Sequence, residues 1–268
     1  MIDSNRPIVA KAGTDVFLEE GQLSSERIGS LVEQIAHVKD ATRLRAFFLV
    51  VSGAIAAGLA AYGRKRPSRE LTVSEKQKYA SAGTELYEHF RVALKRHKLV
   101  MNLVQVTRQN FRDVLERANM LQGIASILTD EQDSLIVINE NDMVATEELK
   151  HRFGDNDKLA EKVTLLVGAE RHIILGTTNG ILCDVNDSKS TIQTYTADCD
   201  RFIRNDVRSE NGGGTSGADI KVAVGRNLAA QGVTTDIANG KQEGMLSHIL
   251  LNGKRDENWD WTTFLPQT

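Results

Sequence analysis

A dense run of carboxylates and amides, Asn139-Glu140-Asn141-Asp142-Met143-Val144-Ala145-Thr146, is followed shortly by Phe153-Gly154-Asp155-Asn156-Asp157. It comes directly after an apolar segment, Leu135-Ile136-Val137-Ile138, which reads as a buried strand. Amides can donate to a carboxylate and acids can receive an ammonium group, so this mixture at a strand end suits a small, polar, charged substrate. Composition alone also allows a polar surface loop. Three other segments carry related chemistry. Ala10-Lys11-Ala12-Gly13-Thr14 sets an ammonium group at the end of a strand, where open α/β sheets bind ligands. Gly13 lets a phosphate approach the backbone, although a strand-ending lysine can simply be solvated. Val51-Ser52-Gly53-Ala54-Ile55-Ala56-Ala57-Gly58 reads as a strand, a turn and a helix start, offering free N–H groups to an anion. Close helix packing explains the same small residues, and both readings can hold together.

The fourth segment is Gly212-Gly213-Gly214-Thr215-Ser216-Gly217-Ala218-Asp219-Ile220-Lys221, a Gly-rich loop entering a helix with a lysine in its first turns. Such a loop suits phosphate, and a flexible loop with a solvated lysine is the plain alternative. Gly212, Gly214 and Gly217 spell G-x-G-x-x-G, but Arg204 to Asn211 are polar and supply no preceding strand, so the dinucleotide fingerprint does not apply.

These segments need a scaffold, and the pattern around them supplies one. Short apolar strands are expected at Ile8–Lys11, Arg45–Val51, Val100–Val106, Leu135–Ile138, His172–Leu175 and Val233–Ile237. Amphipathic segments alternate with them, which is the mark of βαβ units and a mainly parallel sheet. One helix starts at Ser24 or Ser25, with Ile28, Leu31, Val32 and Ile35 on one face. Ser74 to Lys98 reads as one or two helices on the outside of the sheet. Phe111, Val114, Leu115, Ala118 and Leu121 form an apolar helical stripe. Leu159, Val163 and Leu166 mark a helix opening after Asp157, and Ile220, Ala223, Val224 and Leu228 mark a later one. The tail Asp256-Glu257-Asn258-Trp259-Asp260-Trp261 has no evident place in the sheet. Its tryptophans either pack back on the domain or mark a subunit contact.

Bulk properties narrow the function classes. With 268 residues, 41% hydrophobic and 26% charged, the chain can bury a sizeable core. A net charge of -3 argues against a dedicated nucleic-acid binder. Cys183 and Cys199 have no metal-type spacing, and so few cysteines suit a reducing compartment. The histidines show no paired ligand spacing, so a His/Cys metal site is not expected. No signal peptide is visible at Met1-Ile2-Asp3-Ser4-Asn5-Arg6. Ala46 to Tyr62 lacks charges and precedes Arg64, Lys65 and Arg66, which invites comparison with a membrane span. The run changes from β-branched and aromatic to Ala-rich at Ser52-Gly53, which fits a buried strand, a turn and a small-residue helix better.

The wording INEND-x-VAT…FGDND, with SGAIAAG and the strand-ending K-x-G-T, resembles the glutamate 5-kinase branch of the amino acid kinase family. The resemblance runs from about Ile8 to Leu251 and is carried chiefly by 51–58 and 137–157. It implies a three-layer α/β/α sandwich around a mainly parallel sheet, as one kinase domain over 1–268 without a further RNA-modifying-enzyme-like module. It implies a cytoplasmic homo-oligomer, acting away from membranes and nucleic acids, that uses ATP and Mg²⁺ to phosphorylate the side-chain carboxylate of glutamate for proline synthesis. Lys11 and Lys221 then match the contacts to the transferred phosphoryl group, and Asp157 the acid that orients both. A carboxylate between two ammonium groups offsets their repulsion. Ser52, Gly53, Asn139, Asp142 and Asn156 match the amino-acid side. Gly13, Gly176, Thr177, Gly180 and Gly217, with the two lysines, match the nucleotide side. Neither lysine side chain is expected in the core.

Departures from the pattern fall on the nucleotide side. The family's T-D-x-x-G-[LV]-[YF] loop is here Gly176-Thr177-Thr178-Asn179-Gly180-Ile181-Leu182, and Ser216 and Ala218 stand where the family has Gly and Met. Two other functions remain open on this basis: a kinase for acetylglutamate or another small acid, and a non-catalytic amino-acid-binding module.

Overall fold

A computed structural model describes residues 6–65, 67, 70–130, 133–145, 156–184, 186–187, 189–200 and 217–266. Thr146, Phe153, Gly154 and Asp155 of the acidic-amide run, and Gly212 to Ser216 of the Gly-rich run, lie outside the described residues. The strands are β1 Ile8–Ala12, a small hairpin of β2 Leu18–Glu19 and β3 Gln22–Leu23, β4 Phe47–Val51, β5 Val100–Val106, β6 Ser134–Glu140, β7 Arg171–Gly176, β8 Thr234–Asn239 and β9 Thr262–Phe264. The helices are α1 Thr14–Phe17, α2 Ser25–Thr42, α3 Ala54–Ala61, α4 Val73–Ala82, α5 Glu85–Arg96, α6 Arg108–Arg112, α7 Val114–Thr129, α8 Asn156–Val167, α9 Gly217–Ala229 and α10 Met245–Leu251.

Seven strands form the main sheet in the order β5-β6-β4-β1-β7-β8-β9. All neighbouring pairs are parallel except β8–β9. β1 and β4 are buried along their whole length, as strands covered on both faces must be. One face carries Ile8, Ala10, Leu49 and Ile173 against α2, α5 and α10. The other carries Val9, Val50 and Ile138 against α7 and α8, and Ile174 and Ile237 against α9. The result is the expected three-layer α/β/α sandwich. Lys11 lies two residues after Val9 and so takes the α8 side of the sheet.

Local chemistry explains the helix boundaries. Ser24 caps α2 by accepting the Arg27 N–H at 3.2 Å. α3 and α4 pack so closely that a β-carbon on Gly58 would lie 1.7 Å from the Tyr79 carbonyl oxygen. One on Gly83 would lie 1.9 Å from that of Ala54. Gly83 therefore splits Ser74–Lys98 into α4 and α5, and the uncharged run Ala46–Tyr62 resolves into β4, a turn at Gly53 and α3. No helix among the described residues is long and apolar enough to cross a membrane.

Two features differ from expectation. On α7, Val114 and Leu115 are 71% and 69% exposed, while Met120, Ile124, Ile127 and Leu128 face the sheet. This helix is apolar on more than one side, so periodicity alone does not select its inner face. The tail beyond the tryptophans supplies β9, an antiparallel edge strand on β8. Trp261 is buried in the core, and Trp259 stacks on His248 at 4.1 Å, so both pack on their own domain.

β9 is held by a buried carboxylate. Asp236 on β8 is fully buried and accepts from the Thr263 hydroxyl at 2.7 Å, the Trp261 indole at 3.0 Å and Arg171 at 2.7 Å. Arg255 stacks over the Trp261 ring at 4.3 Å and donates to the Gln193 carbonyl at 3.0 Å. Removing one partner of a buried ion pair strands the other, so Asp236→Ala is expected to lose about 3–5 kcal/mol of stability. Urea unfolding measures this, and a loss below about 1 kcal/mol contradicts the assignment.

Candidate active site

The strand order reverses at β1, with β4 on one side and β7 on the other, and in open α/β sheets a ligand crevice forms at the carboxyl ends of strands at such a point. Lys11 and Asn139 are the penultimate residues of β1 and β6, Ser52 and Gly53 directly follow β4, and Gly176 ends β7. α8 begins with Asn156 and Asp157 and packs over the same edge.

Asp157 joins the elements. Its Oδ1 lies 2.7 Å from Lys11 Nζ and its Oδ2 lies 3.6 Å from Lys221 Nζ on α9. Lys11 is 8% exposed and Asp157 4%, so this lysine belongs to the buried interior, contrary to the sequence expectation. The strand places it there, because an end residue of a central strand is covered by the helix above. Burial alone pushes the Asp157 carboxyl upward, but the ammonium groups of Lys11 and Lys221 outweigh it and hold the group below its usual value.

His172 on β7 supports this helix from below. It is fully buried, and burial pushes its pKa down to about 4, so the ring is neutral. Its Nδ1 lies 2.7 Å from the Thr164 hydroxyl, which itself donates to the Ala160 carbonyl at 2.7 Å. The single hydroxyl proton is thereby used, so Nδ1–H is the donor to Thr164. In the sequence His172 looks like one more residue of an apolar strand, and its partner eight positions earlier has no motif to announce it.

Asn156 gathers the other side. Its amide Nδ2 lies 2.9 Å from the Val51 carbonyl, 2.8 Å from the Ser52 hydroxyl and 3.3 Å from Asn139 Oδ1. Asn139 in turn donates to the Tyr87 hydroxyl at 2.8 Å. The half-buried Asp142 completes the cluster, and burial raises its pKa to about 6 while Lys76 draws it back in part. Gln77 on α4 donates to the Met143 carbonyl at 2.8 Å and ties that helix to the segment. Tyr87, Lys76 and Gln77 lie in the charged stretch that reads only as outer helices, so nothing in their spacing singles them out.

The glycines divide between ligand space and structure. Gly13 donates its N–H to the Leu175 carbonyl at 3.1 Å, so that group is committed within the sheet. Its missing side chain keeps space beside Lys11 Nζ, 3.6 Å from where a β-carbon would stand. Gly53 adopts φ 119° to turn from β4 into α3. Gly176 faces the stem of Lys221, whose Cε lies 3.8 Å from where a β-carbon on Gly176 would stand. Thr177 is exposed beside it. Gly180 has φ 124°, and a β-carbon there would meet the Thr262 hydroxyl at 2.5 Å, so contact with β9 already requires glycine. Gly217 opens α9 four positions before Lys221.

Residues 6–239 match the Amino acid kinase family. Proteins named glutamate 5-kinase resemble the chain throughout. That of Caldanaerobacter subterraneus subsp. tengcongensis is 32% identical over 97% of this chain and 68% of its own length. That of Trichlorobacter lovleyi is 32% identical over 100% and 69%. That of Rhodopirellula baltica is 30% identical over 93% and 64%, so the chain spans about two thirds of the length of these relatives. Among solved structures, isopentenyl phosphate kinase superposes with a TM-score of 0.61 at 15% identity, covering 95% of this chain and 99% of that one. UMP kinase from Ureaplasma parvum gives 0.56 at 12% identity, covering 97% and 99%. Sequence and fold agree: the chain belongs to the amino acid kinase family.

Proposed function

We propose that the protein transfers the γ-phosphoryl group of ATP to the γ-carboxylate of L-glutamate, forming glutamyl 5-phosphate for proline synthesis. The observation that carries this reading is Asp157 holding Lys11 and Lys221 at one sheet edge, next to the polar cluster of Ser52, Asn139, Asn156 and Asp142. Phosphoryl transfer asks chiefly for positioning and charge neutralisation. Lys11 and Lys221 meet the phosphate oxygens, and Asp157 keeps both ammonium groups aimed there. Asp142 receives the substrate ammonium, and Ser52 and Asn156 bound the space in which the acceptor lies. The acceptor carboxylate is ionised at neutral pH and needs no general base.

Among the described residues no group of three His, Cys, Asp or Glu side chains could hold a metal ion. In this reading Mg²⁺ enters with the nucleotide as substrate, carried on its phosphate oxygens. It neutralises phosphate charge when bound.

An ATP-dependent hydroxamate assay with glutamate, aspartate and acetylglutamate side by side tests the reaction. Glutamate is expected to be the best acceptor, and preference for acetylglutamate, which has no ammonium group, overturns the role of Asp142. Lys221→Ala should lower turnover by roughly 10²-fold or more at a smaller cost in stability than Lys11→Ala, since its ammonium group stands 3.6 Å from Asp157 against 2.7 Å for Lys11. Lys11→Ala should lower turnover similarly and also lose about 1–3 kcal/mol, since it leaves a buried carboxylate with one counterion fewer. Near-normal turnover in either variant contradicts the phosphate-contact roles.

Because Asp142 titrates at about 6, its attraction for an ammonium group fails as pH falls through that value. The Michaelis constant for glutamate should rise below about pH 6 while that for ATP stays level. Lys76→Met should move the inflection to higher pH, because Lys76 is the charge that lowers this pKa. A flat glutamate profile between about pH 5 and 8 counts against the assignment.

The loop at Gly176-Thr177 lacks the acid that the family pattern has there. A lost hydrogen bond to a charged group costs about 1.5–3 kcal/mol, or roughly ten- to a hundred-fold in affinity. ATP binding is expected to be weak, with a Michaelis constant near or above ~1 mM and little choice among purines. Calorimetry with a non-hydrolysable ATP analogue reads this directly. Tight, adenine-selective binding contradicts it, and no binding by a folded protein favours a non-catalytic amino-acid-binding module.

A further inference from the structure

Tyr87 takes no part in the motifs that mark this site, yet its phenol reaches the centre of the substrate side. It stands in the first turn of α5, and its hydroxyl oxygen accepts from Asn139 Nδ2 at 2.8 Å. Asn139 is itself fixed, because its Oδ1 faces Asn156 Nδ2 at 3.3 Å, so its amide group is left to donate to the phenol. The oxygen thus accepts from Asn139, and its own proton is turned away from that donor. Among the described residues no acceptor takes that proton. The Asp142 carboxylate is near enough to act on the ring electrostatically, and together with burial it keeps the phenol protonated.

We propose that Tyr87 is a specificity-determining residue whose O–H donates to the α-carboxylate of the amino-acid substrate, beside the ammonium group held by Asp142. The pocket then reads both charges of a free α-amino acid at one end, a donor for the carboxylate and an acid for the ammonium, and leaves the side-chain carboxylate directed at Lys11 and Lys221. This rests on the glutamate-kinase reading of the same edge. It goes beyond that reading in naming the group that separates an α-amino acid from a simple amine with the same chain. A phenol suits the task better than a cation here, since a second ammonium group next to Asp142 would neutralise the acid that the substrate needs.

The test compares Tyr87→Phe with the unmodified protein on two acceptors, glutamate and 4-aminobutanoate. The second keeps the ammonium group and the reacting carboxylate but lacks the α-carboxylate. Tyr87→Phe should raise the Michaelis constant for glutamate roughly ten- to a hundred-fold, with turnover at saturation changed by less than about three-fold. For 4-aminobutanoate the two proteins should behave alike. An unchanged glutamate constant overturns the proposal, and so does an equal penalty on both acceptors, which would mean that Tyr87 acts only by orienting Asn139. Calorimetric binding of both compounds repeats the comparison without turnover, so failure of the kinase reading leaves Tyr87 testable. No binding of glutamate by the unmodified protein overturns the proposal as well. Tyr87→Met, apolar and flexible enough to refill the space, gives a second route to the same outcomes if the Phe variant is poorly folded.

Discussion

The structure depends on one buried carboxylate facing two ammonium groups. Asp157 cannot stay ionised at its depth without cations, and Lys11 and Lys221 could not stand near each other without an anion between them. The three residues come from β1, α8 and α9, so a single electrostatic requirement sets how two helices meet the central strand. Two ammonium groups thus face one carboxylate at the carboxyl end of the sheet, near the helix that starts at Gly217. The neutral His172 beneath matters for the same reason, since a protonated imidazole there would compete for Asp157.

The half of the site around Asn156 and Asn139 is organised by amides where the half around Asp157 is organised by charge. Asn156 sits next to Asp157 in the chain and reaches the ends of β4 and β6, so adjacent residues on one helix turn serve both halves of the crevice. The small residues after Ser52 allow this closeness. Gly58 and Gly83 let α3 and α4 touch backbone to backbone, which brings Lys76 and Gln77 over the segment that carries Asp142. What looks like a binding signature in SGAIAAG is thus also a packing requirement, and the two cannot be varied separately.

Much of the scaffold is legible in the sequence because parallel strands covered on both faces must be continuous apolar runs. β1, β4, β6 and β7 announce themselves this way, and Ser24 marks the start of α2 by its capping chemistry. Lys11, Asp157 and Lys221 are legible because their spacing from glycines and strand ends follows a known wording. The remainder is hidden for physical reasons. β9 is three residues long, too short for a period, and depends on Asp236, a buried carboxylate in a strand that is itself rich in polar residues. Tyr87 and His172 owe their places to contacts with residues far away in the chain or across an element, and no local pattern encodes them. α7 misleads because its apolar residues outnumber those its inner face can bury. The burial of Lys11 is also out of reach, since a terminal strand residue reads as solvent-facing until the helix above it is in place.

The central position of β1 has a consequence for how the chain is made. β1 precedes both of its partners in the chain, and Ile8 pairs with Arg171 on one side and with Phe47 on the other. One edge of the innermost strand thus stays open until β7, far later in the chain, has been synthesised. Contacts so remote in sequence form slowly, and an unpaired hydrophobic strand invites pairing with another nascent chain. Lys11 sits within that exposed strand and interrupts its apolar run with a charge. Before it has any partner, the same ammonium group acts as a gatekeeper that discourages intermolecular sheet growth.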